Sequence, residues 1–113
     1  RDSRKAACVA FLTAASKDHQ TSKAYEERRG VRYGDDNPED TGPNEAVEAA
    51  LAELALEVPD SVYDAAVRLR EVLMLHRFGV DSTNRASGYA TDDQVIAAEA
   101  DLRRRVRTML AND

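Results

Sequence analysis

The chain has 113 residues, of which 42% are hydrophobic and 33% charged, with a net charge of −5 at pH 7. This balance excludes a disordered chain and predicts one domain, residues 1–113, with a core of its own. The acidic charge argues against a general nucleic-acid binder. A single cysteine, Cys8, excludes an internal disulfide. No apolar run approaches the roughly 18 residues that span a membrane.

The first predicted helix runs from about residue 2 to residue 29. A moderately apolar stripe recurs along it at steps of three and four residues: Cys8, Phe11, Leu12, Ala15, His19, Ser22 and Tyr25. Gly30 is a typical helix stop. The segment that follows, to about residue 43, is rich in glycine, proline and acids, so we predict an exposed loop at about 30–43.

The second predicted helix starts near Pro43 or Asn44 and ends at about Leu56. Its apolar face comprises Val47, Ala50, Leu51, Leu54 and Val58. Pro59 then interrupts the pattern, because proline lacks the amide donor and disfavours helical geometry at the residue before it. We therefore expect a tight corner there rather than one long kinked helix.

The third predicted helix starts at Pro59 and ends at Gly79. Its apolar stripe comprises Val62, Ala65, Ala66, Leu69, Val72, Leu73 and His76.

A second loop is predicted at about 79–90. Thr91 and Gln94 then have the spacing of a capping box, which predicts the start of a fourth helix. Its stripe comprises Val95, Ala98, Leu102, Val106, Met109 and Leu110. Four amphipathic helices predict an all-α fold, an antiparallel four-helix bundle.

Two histidines, His19 and His76, lie on apolar stripes and could face each other across the bundle. Two imidazoles are too few for a metal site without carboxylate or thiolate partners, and Glu-x-x-His is absent from both helices. We therefore expect both histidines to lie at the boundary of the core, and we expect no metal and no cofactor. If a metal were bound, the candidate ligands would be His19, His76 and Cys8. Cys8 has apolar neighbours and is expected to be a buried small hydrophobic residue.

The remaining motifs predict no catalytic residue. The acidic stretch DDNPED, residues 35–40, lacks the glycine and the glutamate of a calcium-binding loop. The basic RRRVR stretch, residues 103–107, lies in the last turns of a predicted helix, where positive charge suits the helix dipole. Phosphate-binding glycine motifs and Gly-x-Ser-x-Gly are absent. We expect the protein not to be an enzyme.

Two stretches together resemble a group of uncharacterised actinobacterial proteins. RKAACVAFLTAA is similar to their R-x-x-A-Y-x-x-F-L-x-A helix, with Cys8 in the place of the tyrosine. Their second signature is a leucine run, a proline and then V-x-x-A-A, and it is similar to the stretch ALAELALEVPDSVYDAAVRLREVL. Their closing helix is similar to the stretch DLRRRVRTML. Those proteins often begin with membrane helices and a charged arm. The resemblance implies a helical bundle built on packing motifs and supplies no catalytic residue.

The chain begins without methionine, and Arg1, Arg4 and Lys5 stand at the start of a helix, where acids are preferred. We therefore expect a fragment of a longer chain. The resemblance further implies that this fragment is the cytoplasmic part of a membrane-tethered protein, with the basic residues in the arm that follows the membrane helices, because basic residues cluster on the cytoplasmic side of such helices. The predicted function is protein–protein interaction or self-association through the exposed side of the first helix or the acidic loop 35–40. The alternative is a small-ligand or metal-sensing bundle that uses His19 and His76.

Overall fold

The computed structural model describes residues 2–29, 44–79 and 88–112 and contains four helices in them. They are α1 (Asp2–Arg29), α2 (Glu45–Glu57), α3 (Asp60–Phe78) and α4 (Asp92–Ala111). No strand occurs in these three ranges, so the predicted all-α class is confirmed. The predicted loop at 30–43 and most of the one at 79–90 lie outside the described residues, as does the acidic stretch at 35–40.

The ends of the helices follow from local chemistry. Oδ1 of Asn44 accepts hydrogen bonds from the backbone N–H groups of Ala46 (2.9 Å) and Val47 (3.1 Å), which caps the start of α2. The end of α3 is set by Gly79, whose φ of 72° is left-handed and therefore favours glycine. A side chain at this position would also meet the ring of Tyr89, which lies 3.3 Å from the place of a Cβ atom.

The predicted capping box is present at the start of α4. Oγ1 of Thr91 accepts from the N–H of Gln94 at 3.1 Å, and Oε1 of Gln94 accepts from the N–H of Thr91 at 2.7 Å. These two bonds use backbone donors that the first turn of a helix otherwise leaves unsatisfied. They also fix the position of Asp92, which is the first residue of α4.

Thr91→Ala is expected to lower the free energy of unfolding by about 1 kcal/mol, because it removes the side chain that caps α4. Urea unfolding followed by circular dichroism measures this loss. Thr108→Ala is the matched control, since Thr108 is exposed and its hydroxyl bonds only to the carbonyl of Arg104 on its own helix. An equal loss in both variants would contradict the capping role.

The core lies where the apolar stripes of the four helices meet. Every residue of the α3 stripe is buried, as are most of the stripe residues on the other helices. The largest fully buried side chains include Phe11 on α1, Leu54 on α2, Leu69 and Leu73 on α3, and Leu102 on α4. Helix α4 packs mainly against α3, and α1 against α2 and α3, while α1 and α4 touch over a small area. The four helices thus form a bundle.

None of the four helices has a stretch both long and apolar enough to cross a membrane.

Candidate functional site

Three potential metal ligands from three helices come together in the bundle. They are His19 of α1, His76 of α3 and Asp92 of α4, and one ligand atom from each lies within 4.8 Å of those of the other two. The sequence separates these residues by 57 and 16 positions, so only the packing of the helices makes them neighbours. We call these three residues the His–His–Asp cluster.

The outer part of the cluster is a close pair between α1 and α4. Nε2 of His19 lies 2.5 Å from Oδ1 of Asp92, with side-chain exposures of 14% and 35%. Asp92 faces His19 because the capping box starts α4 at this point and because acids are favoured in a first helical turn. The partial exposure leaves the pair accessible to an ion from solvent.

The inner part of the cluster is His76, whose side chain is completely buried. Its Nδ1 atom is hydrogen-bonded to Oγ of Ser22, one turn of α1 beyond His19, and Ser22 is also completely buried. The rings of His19 and His76 meet edge to face with their centroids 5.4 Å apart. Two imidazoles therefore lie side by side, one deep in the bundle and one near its surface.

The charges of the cluster favour the ionised form of Asp92. The hydrogen bond with His19 lowers the pKa of the Asp92 carboxyl below its ordinary value of 3.8, and the charges of His19, Lys23 and His76 act in the same direction, against a smaller effect of burial. A carboxylate is the form that binds a cation. The stability that this bond contributes is present above pH 3.8 and is lost as the pH falls through the lowered pKa.

His19→Phe is expected to raise the pKa of Asp92 towards 3.8, because it removes the hydrogen bond that lowers it. Carboxyl chemical shifts followed by NMR during an acid titration measure this change. Asp101 is the internal control: its pKa is lowered by hydrogen bonds from Arg104 and Arg105 on α4 and should not change in this variant. An unchanged pKa of Asp92 would show that His19 does not cause the shift.

A largely buried ion pair lies beside the cluster in the sequences of α1 and α3. Asp18, next to His19 on α1, accepts a hydrogen bond at 2.9 Å from Nη1 of Arg77, next to His76 on α3. The side chains of Asp18 and Arg77 are only 6% and 10% exposed, and Nδ2 of Asn44 donates to the same carboxylate oxygen at 3.0 Å. The pair ties α1 to α3 at the level of the two histidines and so fixes their relative position.

The third sequence candidate, Cys8, lies apart from the cluster. It precedes His19 by eleven residues on α1, which corresponds to about 16 Å along the helix axis. Its side chain is buried among apolar residues, and burial raises the pKa of the thiol. This placement suits a small hydrophobic residue rather than a ligand or a nucleophile.

Sequence reasoning missed Asp92 as a member of the site and Ser22 as a partner of His76. The sequence around Asp92 indicates only an acid that suits a helix start. Ser22 is only one polar position on an apolar stripe, so neither residue is marked as part of a site. The hydroxyl of Ser22 is not a candidate nucleophile, since a completely buried group cannot reach a substrate. The expectation that two imidazoles lack a carboxylate partner is corrected by the packing of α4.

No protein-family model matches the chain, and comparisons with curated proteins and with solved structures give no significant match.

Proposed function

We propose that this protein binds a divalent transition-metal ion at His19, His76 and Asp92 and acts as a metal-responsive helical bundle. The observation that carries the proposal is the approach of two imidazoles and one carboxylate, from three different helices, to within 4.8 Å of one another. This departs from the sequence expectation of no metal, because that expectation depended on the lack of a carboxylate. Asp92 supplies one.

The donor set favours first-row transition metals. Imidazole nitrogen suits zinc, cobalt, nickel, copper and iron, whereas magnesium and calcium prefer sites made of oxygen ligands only. Zinc bonds of about 2.0–2.1 Å in a tetrahedral site place two ligand atoms about 3.3 Å apart. The His19–Asp92 pair must open by less than about 1 Å to reach this spacing, and the widest pair must close by about 1.5 Å. Such changes are within the range of side-chain rotation.

A bound ion would join α1, α3 and α4 at one point. Helix α4 packs mainly against α3 and touches α1 over a small area. The His19–Asp92 pair lies at this small contact. An ion there strengthens the weakest of the contacts that α1 makes and stabilises the folded chain in proportion to its occupancy, by about 2.7 kcal/mol at a free-ion concentration of one hundred times Kd. This coupling is what makes the bundle responsive to metal.

Calorimetric titration of the protein with Zn²⁺ tests the proposal, with Mg²⁺ as the control ion. We expect Zn²⁺ to bind with a Kd of about 1 µM or tighter and Mg²⁺ not to bind measurably. The double variant His19→Ala, His76→Ala should lose binding. Asp92→Asn should weaken it, and Asp93→Asn is its matched control, because Asp93 is the next residue of α4, is exposed and undergoes the same change of charge.

Two results would end the metal hypothesis. One is a wild-type protein that binds Zn²⁺ no more tightly than about 1 mM. The other is an equal affinity in Asp92→Asn and Asp93→Asn, which would place the ion elsewhere. Circular dichroism of each variant shows whether a loss of binding comes from a loss of fold.

The function predicted first from the sequence, protein interaction or self-association of a cytoplasmic and membrane-tethered domain, stays a prediction. Val9 on α1 is 54% exposed and Leu56 on α2 is 85% exposed, which supports an apolar contact surface on these helices. Single exposed apolar residues are common on monomers, so this support is weaker than that for the metal site. Sedimentation velocity over a range of concentrations tests self-association, with Val9→Ser as the variant that should reduce it.

The arrangement of the helices that we propose is antiparallel, with a tight corner between α2 and α3. Only Val58 and Pro59 separate the two helices, and both have extended backbone angles, with ψ of 157° and 162°. Pro59 has no amide donor to continue α2, which supports a change of direction at this point.

A further inference from the structure

Ser22 and His76 form a buried side-chain pair between α1 and α3. Oγ of Ser22 is hydrogen-bonded to Nδ1 of His76, and both side chains are completely inaccessible to solvent. Ser22 and His19 are three residues apart on the same helix, so the hydroxyl lies beside the cluster without being one of its three ligands. The core could be filled at this position by alanine without a polar group, so the hydroxyl calls for an explanation.

Histidines that bind metals usually direct their other ring nitrogen at a hydrogen-bond acceptor, which fixes the tautomer and the orientation of the ring. We propose that Ser22 is the positioning residue that holds His76 with Nε2 as the metal-binding atom. The proposal rests on the metal-binding function proposed above. A cation on Nε2 leaves the single imidazole proton on Nδ1, and Nδ1–H then donates to Oγ of Ser22.

Without the hydroxyl, the ring of His76 loses the contact that distinguishes its two nitrogens. The rotation of an imidazole ring about its last side-chain bond is broad and roughly two-fold, so the ring can also turn the wrong edge towards the ion. The buried Nδ1–H would also lose its acceptor when the ion binds, which costs affinity. Ser22 therefore acts on the ion through His76 and does not need to contact it.

Calorimetric titration with Zn²⁺ tests this role in four proteins: wild type, Ser22→Ala, Ser22→Thr and Ser22→Val. Loss of such a partner typically weakens metal binding by about 10–100-fold, and we expect this for Ser22→Ala. Threonine and valine have nearly the same shape and differ in the hydroxyl, so any strain from the added methyl group is common to both. Ser22→Thr should bind Zn²⁺ at least about 10-fold more tightly than Ser22→Val.

A second measurement separates positioning from a purely structural role. In the zinc-loaded wild-type protein, the imidazole nitrogen shifts of His76 should show Nε2 bound to the metal and Nδ1 protonated, with slow exchange of the Nδ1 proton. In zinc-loaded Ser22→Ala, this proton should exchange faster. Melting of the metal-free variants shows the structural effect of each substitution by itself. A merely structural role would change these melting curves without changing the exchange of the Nδ1 proton in the zinc-loaded protein.

The outcomes distinguish the two proposals. If the wild-type protein does not bind Zn²⁺, both the metal function and the role of Ser22 are wrong. If the wild-type protein binds Zn²⁺ and Ser22→Ala or Ser22→Val binds it equally well, the metal function stands and the role of Ser22 is wrong. Metal bound at Nδ1 of His76 would likewise overturn the role of Ser22 alone.

Discussion

Leu69→Asp is expected to unfold the bundle at 25 °C. Leu69 lies in the middle of α3 and its side chain is completely buried among the apolar residues of the core. Removal of a buried leucine side chain costs about 2–5 kcal/mol, and burial of a carboxylate among apolar groups adds several kcal/mol more. A domain of this kind has a total stability of about 5–15 kcal/mol, so the expected loss is comparable to all of it. The far-UV circular dichroism spectrum and the melting curve measure the result.

Leu56→Asp is the matched control for this experiment. It makes the same chemical change on the neighbouring helix α2, at a side chain that is 85% exposed. A solvent-exposed aspartate keeps its hydration, so the loss should be limited to about 1 kcal/mol from lower helix propensity and a negative charge near the end of α2. A melting curve of Leu69→Asp that matches the wild type would contradict the placement of Leu69 in the core.

The helices and most of the core could be predicted from the sequence, because a buried helix face repeats every three or four residues. The stripe of α3 illustrates this: each of its predicted members is buried. The prediction that the basic stretch 103–107 lies at the helix end is wrong for the last turn of α4, which contains no basic residue. Two of its arginines instead pair with acids one turn earlier on the same helix. Arg103 contacts Glu99 at 3.1 Å and Arg105 contacts Asp101 at 3.1 Å, each four residues apart on one helix.

The polar part of the interior could not be predicted, because periodicity does not show which helix faces which. Asp18 illustrates the difficulty: an aspartate on a helix is usually exposed, but here it is buried because Arg77 of α3 lies opposite. Asp92 reaches the histidines only through the position of α4 on α3. The candidate site therefore depends on three helix–helix contacts, and no single segment contains a recognisable part of it.

The two histidines and the ion pair beside them form two adjacent layers with different proposed roles, metal binding for the histidines and helix register for the ion pair. Asp18 and His19 are consecutive on α1, and His76 and Arg77 are consecutive on α3, so any shift of one helix along the other would disturb both layers together. The ion pair holds α1 and α3 in register in the absence of metal. Under the proposed metal function, the His–His–Asp cluster would then need only small side-chain movements to close around an ion, which would lower the cost of binding.

Asp18→Ala is expected to lower the free energy of unfolding by about 3–5 kcal/mol, because it removes a carboxylate from beside the buried guanidinium of Arg77. It also removes the acceptor of the hydrogen bond from Asn44, which caps α2. Urea unfolding in the presence of a chelator measures the loss without any contribution from metal. If Asp18→Ala is as stable as the wild type, the pair does not hold α1 and α3 together.

Asp18→Asn separates the charge from the hydrogen bonds. Both bonds, from Arg77 and from Asn44, end on the same oxygen of Asp18, and asparagine keeps one such oxygen. Its loss of stability should therefore be smaller than that of Asp18→Ala. The double variant Asp18→Leu, Arg77→Met should recover much of the loss, because apolar residues of similar volume can replace a buried ion pair at little cost. If the double variant is as unstable as Asp18→Ala, the loss of stability comes from the disturbed Asn44 cap of α2. It would then not come from the unpaired charge of Arg77.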